Sequence, residues 1–241
     1  RKSEAMHVKK TALCIVLVFS MFLMRQPIGA MPDQPEKRVF SKRDNDNKLI
    51  ALTFDDGPHP AYTGEILDYL AEMHIHATFF MIGENMKSHP ELVQRVLDEG
   101  HEIGNHTMDH PDLRAESAER LIDELREAEE ILVDLTGERP ILFRPPGGRC
   151  GESVIAAAAA LDYDIILWTV DTRDWSQHTT KKQVIDAVLD HVDSGAIILC
   201  HDSVSRPDGS VTLSAMREFI PQLLEAGYQF VTVSDLLDGG I

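Results

Sequence analysis

The chain has 241 residues, of which 43% are hydrophobic and 26% charged, and its formal net charge is −17. A chain of this length can bury a sizeable core, and it suits one large α/β domain or two small ones. The acidity argues against a nucleic-acid partner, because no basic stripe remains to neutralise phosphates. Three cysteines exclude a dense disulfide framework, although a single bridge between Cys150 and Cys200 stays open.

The first thirty residues have the pattern of a secretory signal. Lysines precede an apolar run from Thr11 to Met24, and the small residues Gly29 and Ala30 follow it. The run is too short to span a bilayer comfortably. We therefore predict a signal peptide over residues 1–30 and a secreted or cell-surface protein, with an uncleaved anchor as the alternative. Residues 1–30 hold five basic residues and one acidic residue, so the remainder has 18 basic and 39 acidic residues and a net charge of −21. After removal of the signal peptide we expect no stable membrane span.

The remaining chain divides into a short polar segment and one domain. Residues 31–47 are polar and contain prolines, which predicts a tether. Residues 48–241 are predicted to form a single domain, because short apolar runs alternate with helix-like segments. The seven runs are LIALTF, ATFFMIG, HEIGNH, ILFR, DIILWTV, AIILCH and YQFVTV. This alternation predicts a parallel sheet, either open and doubly wound or closed into a barrel. We favour the barrel, because polar motifs leave nearly every strand at its C-terminal end.

Two helices have clear boundaries in the sequence. The first covers about Ser117 to Thr136, with Ser117 as the N-cap and Gly137 as the stop. Its predicted buried face consists of Leu121, Leu125, Ala128, Leu132 and Leu135. In the second helix we expect Thr63 to be the N-cap, and the predicted buried face consists of Ile66, Leu67 and Leu70.

Two aspartates, Asp55 and Asp56, stand side by side where the run LIALTF ends. Alone, DDGP is typical of a turn. The stretch GNHTMDH places His106 and His110 four residues apart, which on a helical turn would bring both rings within reach of one cation. Two imidazoles need an anionic third ligand, for which Asp56 is the candidate. A cation there would offset the repulsion between the two carboxylates and leave Asp55 free to act as a general base.

Three further stretches carry groups that suit hydrolysis. In ILFRPPGG, Arg144 could hold the Asp55 carboxylate through two parallel hydrogen bonds, although the loop alone is typical of a turn. In IILCHD, His201 could act as a general acid, with Asp174 of DTRDW holding its protonated form. Strand alternation puts Leu199 on the same face as His201, so that Leu199 and Trp175 could form the floor of a small apolar pocket.

The motifs TFDDGP, HTMDH, FRPPGG, DTRDW and LCH occur in one order along the chain. This set resembles the polysaccharide deacetylases, carbohydrate esterase family four, over roughly residues 49–233. The resemblance implies a distorted (β/α) barrel of about seven parallel strands in a single domain. It also implies removal of acetyl groups from an N-acetylated glycan with a divalent metal, usually Zn²⁺, with Co²⁺ or another divalent ion as alternatives.

The resemblance also implies a role for each matching residue. Those that would bind the metal are Asp56, His106 and His110. Those that would perform or tune proton transfer are Asp55 as the base, His201 as the acid, Arg144 beside Asp55, and Asp174 beside His201. Trp175 and Leu199 would hold the acetyl methyl group, and the hydroxyl of Thr107 would steady the histidine loop. One position departs from the family: Gly147 stands where a tyrosine is common, although its backbone N–H remains available to an oxyanion.

For the substrate we favour N-acetylglucosamine residues of peptidoglycan or its fragments. Chitin or chitooligosaccharides come next, followed by an O-acetylated xylan. Outside the hydrolases, two histidines and one carboxylate also make the iron site of oxygenases. A sugar-binding protein that has lost its chemistry is the non-enzymatic alternative. The sequence carries no signal for the oligomeric state.

Overall fold

A computed structural model describes residues 38–203 and 211–239. The predicted signal peptide and residues 31–37 of the predicted tether lie outside these ranges. The described residues all belong to one compact unit, Lys37–Ile241. Within them, no helix combines the length and the apolar character that a bilayer crossing requires.

The centre of the fold is a sheet whose paired strands all run parallel. The nine strands among the described residues are β1 Val39–Phe40, β2 Leu49–Asp55, β3 Thr78–Met81, β4 Glu102–Asn105, β5 Leu142–Phe143, β6 Asp164–Ile166, β7 Val170–Asp171, β8 Ile197–His201 and β9 Gln229–Val231. Their order is β1-β6-β5-β4-β3-β2-β8-β7, and β9 also pairs with β2. All seven predicted runs therefore contain strands.

Helices connect the strands. In the described part of the chain they are α1 Thr63–Met73, α2 Gly83–Ser88, α3 Pro90–Asp98, α4 Ala118–Thr136, α5 Glu152–Ala160, α6 Lys181–Leu189, α7 Val211–Glu225 and α8 Val233–Leu237. A short 3₁₀ turn, Pro146–Gly148, follows β5. Parallel strands require such crossover connections, as the sequence predicted.

The sheet curls into a distorted barrel. β6 lies near one end of the strand order and β7 at the other, yet only residues 167–169 separate them in the chain. Three residues span only about 10 Å when fully extended, so the two ends of the sheet must approach each other. This curvature confirms the predicted distorted (β/α) barrel in one domain and excludes the open doubly wound sheet.

The predicted tether is partly wrong. Val39 and Phe40 pair with Ile165 and Ile166 of β6, and an antiparallel bridge joins Lys42 to Ala196. Residues 38–47 are therefore part of the folded domain, because two apolar side chains at the sheet edge offset the polar character of the surrounding segment. The possible bridge is also absent, since no disulfide joins Cys150 to the buried Cys200.

Alternation along β2 separates two layers of the core. Ile50, Leu52 and Phe54 belong to the large cluster between the sheet and the helices. On the opposite face, Ala51 packs in the barrel interior, and the same face continues as Thr53 and Asp55. An apolar interior thus ends in a polar layer at the C-terminal ends of the strands.

The two helix predictions had different outcomes. The Ser117 hydroxyl accepts a hydrogen bond from the Arg120 N–H, and Gly137 ends α4 with φ +77°, so both predicted boundaries are confirmed. In α1 the predicted apolar residues are buried, but Tyr62 occupies the N-cap position and makes no side-chain cap. The Thr63 hydroxyl instead donates to Asp202. The predicted Thr63 cap is therefore wrong, because a buried carboxylate lies within reach of that hydroxyl.

Candidate active site

The site begins with two strand ends in register. Asp55 ends β2, His201 ends β8, and the two are paired across the ladder. One step earlier on the same face lie Thr53 and Leu199, which are also paired. All four are buried. Cys200, between Leu199 and His201, packs in the large cluster between the sheet and the helices, so the predicted alternation along β8 is observed.

Asp56, His106 and His110 come together above these strand ends. Each offers one ligand atom, and the three atoms lie within 4.8 Å of one another. The Asp56 Oδ1 atom is 3.3 Å from Nε2 of His106 and 3.6 Å from Nε2 of His110. Burial raises the pKa of Asp56, but the nearby imidazoles outweigh this effect and lower it to about 2. Asp56 is therefore an anion facing two ring nitrogens.

This cluster fits a divalent cation. The Asp56 Oδ1 atom is buried and has no hydrogen-bond partner among the described residues. His106 Nδ1 lies 2.6 Å from the Arg144 carbonyl, which can only accept, so Nδ1 carries the proton of the neutral ring. In the neutral ring Nε2 then points its lone pair at a carboxylate oxygen, a contact that a cation shared by the two groups stabilises. Two imidazole nitrogens and one carboxylate oxygen suit zinc with an open fourth position.

The histidine segment is a loop and not the helical turn that the spacing suggested. His106 follows β4 directly, and both Thr107 and His110 have positive φ, +69° and +58°. The Thr107 hydroxyl donates to the His106 carbonyl and accepts from the His110 N–H, 3.1 Å away. The ring centroids are 5.2 Å apart. The two rings thus converge through a hydroxyl-bridged loop, in which Thr107 lies where the resemblance placed it.

Arg144 holds Asp55, but through one hydrogen bond instead of the expected two. Its Nη1 donates to Asp55 Oδ1 and to the Thr53 hydroxyl, both at 2.7 Å. Its Nε donates to the Ile166 carbonyl at 3.2 Å. The guanidinium is fully buried and lies 4.1 Å from the centroid of the Phe80 ring. Several acceptors share the guanidinium, so only Oδ1 of Asp55 is bonded to it. Oδ2 faces His106 instead and lies 3.8 Å from Nε2 of that ring.

His201 and Asp174 form a second buried pair. His201 Nδ1 lies 2.7 Å from Asp174 Oδ1. The other carboxylate oxygen accepts from the His201 backbone N–H at 2.8 Å and from the Thr212 hydroxyl at 2.6 Å. Burial lowers the pKa of His201, but the hydrogen bond and charge of Asp174 outweigh it and raise the value to about 9. In the metal-free protein His201 is therefore protonated at neutral pH, with Nε2 available to donate.

The predicted apolar floor is only half present. Leu199 is 3% exposed and lies below His201 on the same strand face. Trp175 exposes 56% of its surface. Trp175 therefore lies at the surface of the described part of the chain, where its ring is accessible to a ligand.

The arginine loop ends in two glycines with positive φ. Gly147 (φ +61°) is exposed, and a Cβ there would meet only Arg149 Nε, at 3.9 Å. Gly148 (φ +67°) lies against the Trp168 ring, since a Cβ would come within 2.6 Å of Cη2. The same ring centroid is 5.6 Å from the Arg144 guanidinium carbon. Trp168 is an aromatic beside the site that the sequence reasoning missed, although it stands in the predicted run DIILWTV.

Asp202 is a second residue that the sequence reasoning did not assign. It is 1% exposed, and Oδ2 accepts from the Thr63 hydroxyl at 2.6 Å. A Cβ on Gly57 would lie 2.1 Å from the same oxygen, so the carboxylate packs against the residue that follows Asp56. Burial raises the pKa of Asp202 to about 7. Its place directly after His201 in IILCHD was the available signal.

Comparison with known proteins identifies the family to which the chain is similar. The family model described as polysaccharide deacetylase matches residues 42–166. A peptidoglycan-N-acetylglucosamine deacetylase of Bacillus cereus is 42% identical over 195 residues, covering 80% of this chain and 90% of the relative. A chitooligosaccharide deacetylase of Rhizobium leguminosarum bv. trifolii is 38% identical over 199 residues, covering 78% and 92%.

A solved structure extends the likeness to the fold. The crystal structure of a peptidoglycan N-acetylglucosamine deacetylase superposes with a TM-score of 0.78 at 33% identity, covering 85% of this chain and 94% of that one. The family match takes in the DDGP, histidine and arginine motifs, and the alignments to the two relatives cover 80% and 78% of this chain. The chain therefore belongs to the polysaccharide deacetylase family.

Proposed function

We propose that this protein is a metal-dependent hydrolase that removes N-acetyl groups from polysaccharide containing N-acetylglucosamine, with peptidoglycan or its fragments as the substrate. The observation that carries the proposal is the buried Asp56 Oδ1 atom, which has no hydrogen-bond partner among the described residues and faces Nε2 of His106 and of His110. An anion opposite two ring nitrogens is stabilised by a shared cation.

Asp56, His106 and His110 would hold the divalent ion, for which Zn²⁺ is the first choice and Co²⁺ an alternative. When bound, such an ion polarises the acyl oxygen and lowers the pKa of water. Asp55 is suited to take the proton of the attacking water, because Arg144 occupies only its Oδ1 atom and Oδ2 faces the ligand cluster.

His201 supplies the proton for the leaving group from β8, the strand next to the one that carries Asp55. An amide nitrogen is a poor leaving group unless it is protonated, so the acid must hold its proton at the working pH. Asp174 favours this condition, because its hydrogen bond and charge raise the pKa of His201, to about 9 in the metal-free protein. The Gly147 N–H is the candidate donor to the oxyanion of the tetrahedral intermediate. Acetate and a free amino sugar are the products.

The choice of peptidoglycan rests on the predicted export and on the likeness to the peptidoglycan deacetylase described above. Chitin oligomers and then O-acetylated xylan are the next candidates, since their acetyl groups present the same carbonyl to the site. We also propose that the protein acts outside the cell membrane, as the predicted signal peptide implies.

Two alternative functions, an iron oxygenase and an inactive sugar-binding protein, account for fewer of the observed contacts. An iron oxygenase would use the two histidines and Asp56. It would leave the Asp55–Arg144 and His201–Asp174 pairs without a role. A sugar-binding protein without activity would have no need to keep the ligands, base and acid together.

Acetate release distinguishes these readings. The metal-free protein would be assayed on peptidoglycan, chitin oligomers and acetylxylan, with and without added Zn²⁺. We expect metal-dependent release that is fastest on peptidoglycan. Release that is fastest on chitin oligomers would correct the substrate, and absence of release from all three with bound metal would contradict the proposed hydrolase.

A further inference from the structure

Glu124 is a buried acid that the proposed reaction does not use. It lies on α4 between Leu121 and Leu125, within the apolar face of that helix, and is only 1% exposed. Burying a carboxylate is costly unless hydrogen bonds compensate it. The contacts that Glu124 makes therefore indicate what it stabilises.

Those contacts go to the segment between the two histidine ligands. Glu124 Oε2 accepts from the backbone N–H of Met108 at 3.1 Å and of Asp109 at 3.3 Å. Its other oxygen, Oε1, pairs with Arg120 one turn earlier, at 2.5 Å. One carboxylate thus satisfies two consecutive N–H groups of the five-residue segment from His106 to His110.

The opposite side of the same segment is fixed by α2. The backbone N–H of Gly83 donates to the Thr107 carbonyl, and that of Glu84 to the Met108 carbonyl, both at 3.0 Å. Met108 is therefore held through its N–H by Glu124 and through its carbonyl by α2. A Cβ on Gly83 would lie 3.2 Å from the Met108 Cα, so the two backbones approach closely there.

Asn105 gives α4 a second connection to the loop. Its Nδ2 donates to the Leu125 carbonyl at 2.9 Å and to the Tyr163 hydroxyl oxygen at 3.1 Å, while its Oδ1 accepts from the Thr107 N–H at 2.8 Å. Asn105 thus anchors the start of the loop and Glu124 its middle. Both anchors depend on the same turn of α4.

We propose that Glu124 is a positioning residue of the metal site. Its described hydrogen bonds and ion pair go to Met108, Asp109 and Arg120, and none goes to the side chain of a proposed metal ligand. By holding the backbone between His106 and His110, it keeps their rings at the separation that a shared ion requires. This inference rests on the proposed metal dependence. Outer groups that orient metal ligands typically change metal affinity by about 10–100-fold when they are removed.

The test compares Glu124→Ala and Glu124→Gln with Glu127→Ala, an exposed residue on the same helix. Metal-free protein would be titrated with Co²⁺ against a chelating dye, and the visible absorption of the bound Co²⁺ recorded. We expect Glu124→Ala to bind Co²⁺ about 10–100-fold more weakly, with an altered spectrum. Glu127→Ala should match the unchanged protein. Glu124→Gln should lie between, because one amide oxygen can still accept while its NH₂ faces Arg120.

A purely structural role gives a different result. In that case urea unfolding of the metal-free Glu124 variants would shift, while the Co²⁺ affinity and spectrum of the folded protein stay the same, which would overturn the proposal. If Glu124→Ala does not fold, Glu124→Gln provides the same comparison. If the unchanged protein binds no divalent ion, the proposed function fails together with this inference. If it binds Co²⁺ and every Glu124 variant matches it, only this inference fails.

Discussion

Asp55 and His201 are paired in register at the ends of neighbouring parallel strands, and the N–H that follows His201 donates to the Asp55 carbonyl at 3.3 Å. Adjacent strands lie about 4.7–4.9 Å apart, so the sheet itself sets the spacing between the candidate base and the candidate acid. The three candidate metal ligands instead lie on loops. Proton transfer and metal binding should therefore respond to different substitutions.

Asp55→Asn should impair the base and leave metal binding unchanged. The amide oxygen can still accept from Arg144, so the buried guanidinium keeps a partner, but the side chain can no longer take a proton. We expect the bound metal to remain and turnover to fall by about 10²–10⁴-fold. Metal content and acetate release would be measured together, with the exposed Asp46→Asn as the control. Near-normal turnover in Asp55→Asn would contradict the assignment of the base.

Asp174→Asn should move the alkaline limit of activity to lower pH. The pKa of His201 is raised from 6.5 to about 9, chiefly by Asp174 acting against burial. Since the acid must be protonated, activity should fall as the pH rises through the pKa of His201. A bound divalent cation would lower that pKa in both proteins, so the prediction concerns the difference between them. The rate profiles of the two proteins between pH 5 and 10 test it, and coincident alkaline limbs would refute the role of Asp174.

The same pair makes a prediction for stability. A histidine whose pKa is raised by folding stabilises the native state fully below its unfolded value, and this stabilisation is lost as the pH rises through the folded value. The free energy of unfolding of the metal-free protein, relative to Asp174→Asn, should therefore be greatest below pH 6.5 and decrease toward pH 9. Urea unfolding at several pH values measures the difference. A difference that grows with pH would have the wrong sign.

Strand runs and strand alternation predicted most of the site, because both follow from local chemistry. Asp55 and His201 each end an apolar run. If both runs are strands of one parallel sheet, the two side chains lie at the same edge of that sheet. The preferences of metal ions for particular ligands predicted the cluster of Asp56, His106 and His110. They did not predict the loop conformation of residues 106–110. Positive φ at Thr107 and His110 depends on hydrogen bonds that close only in the folded loop.

The residues that sequence reasoning missed depend on contacts between distant segments. Glu124 reads as one more acid on a charged helix, and only the packing of α4 shows that it meets the Met108 N–H. The expected two-bond grip of Arg144 on Asp55 was wrong for a similar reason. Sequence could not show that Thr53 and the Ile166 carbonyl would share the same guanidinium.

His106→Ala should remove metal and activity together. The ring is buried, its Nδ1 is fixed by the Arg144 carbonyl, and its Nε2 faces Asp56 at 3.3 Å. Without it only two of the three proposed ligands remain. We expect zinc content and acetate release to decrease in parallel, whereas the exposed His178→Ala should change neither. A His106→Ala protein that keeps its full zinc content would contradict the ligand assignment.

Gly57→Ala should disturb the metal site through Asp202. The added Cβ would lie 2.1 Å from Asp202 Oδ2, a buried atom already held by the Thr63 hydroxyl. Either the loop that carries Asp56 or the residue after His201 must then shift, and overpacking of this kind costs about 1–3 kcal/mol. We expect weaker Co²⁺ binding and a lower urea midpoint.

Two further variants test whether that clash is the cause. Gly64→Ala lies in α1, where a new Cβ meets its nearest neighbour at 3.5 Å, so it should be neutral or slightly stabilising. Asp202→Ala removes the atoms that Gly57→Ala would hit, so the double variant should lose less than the sum of the two single changes. Strictly additive losses would show that Gly57 and Asp202 act independently and that the close packing between them does not position Asp56.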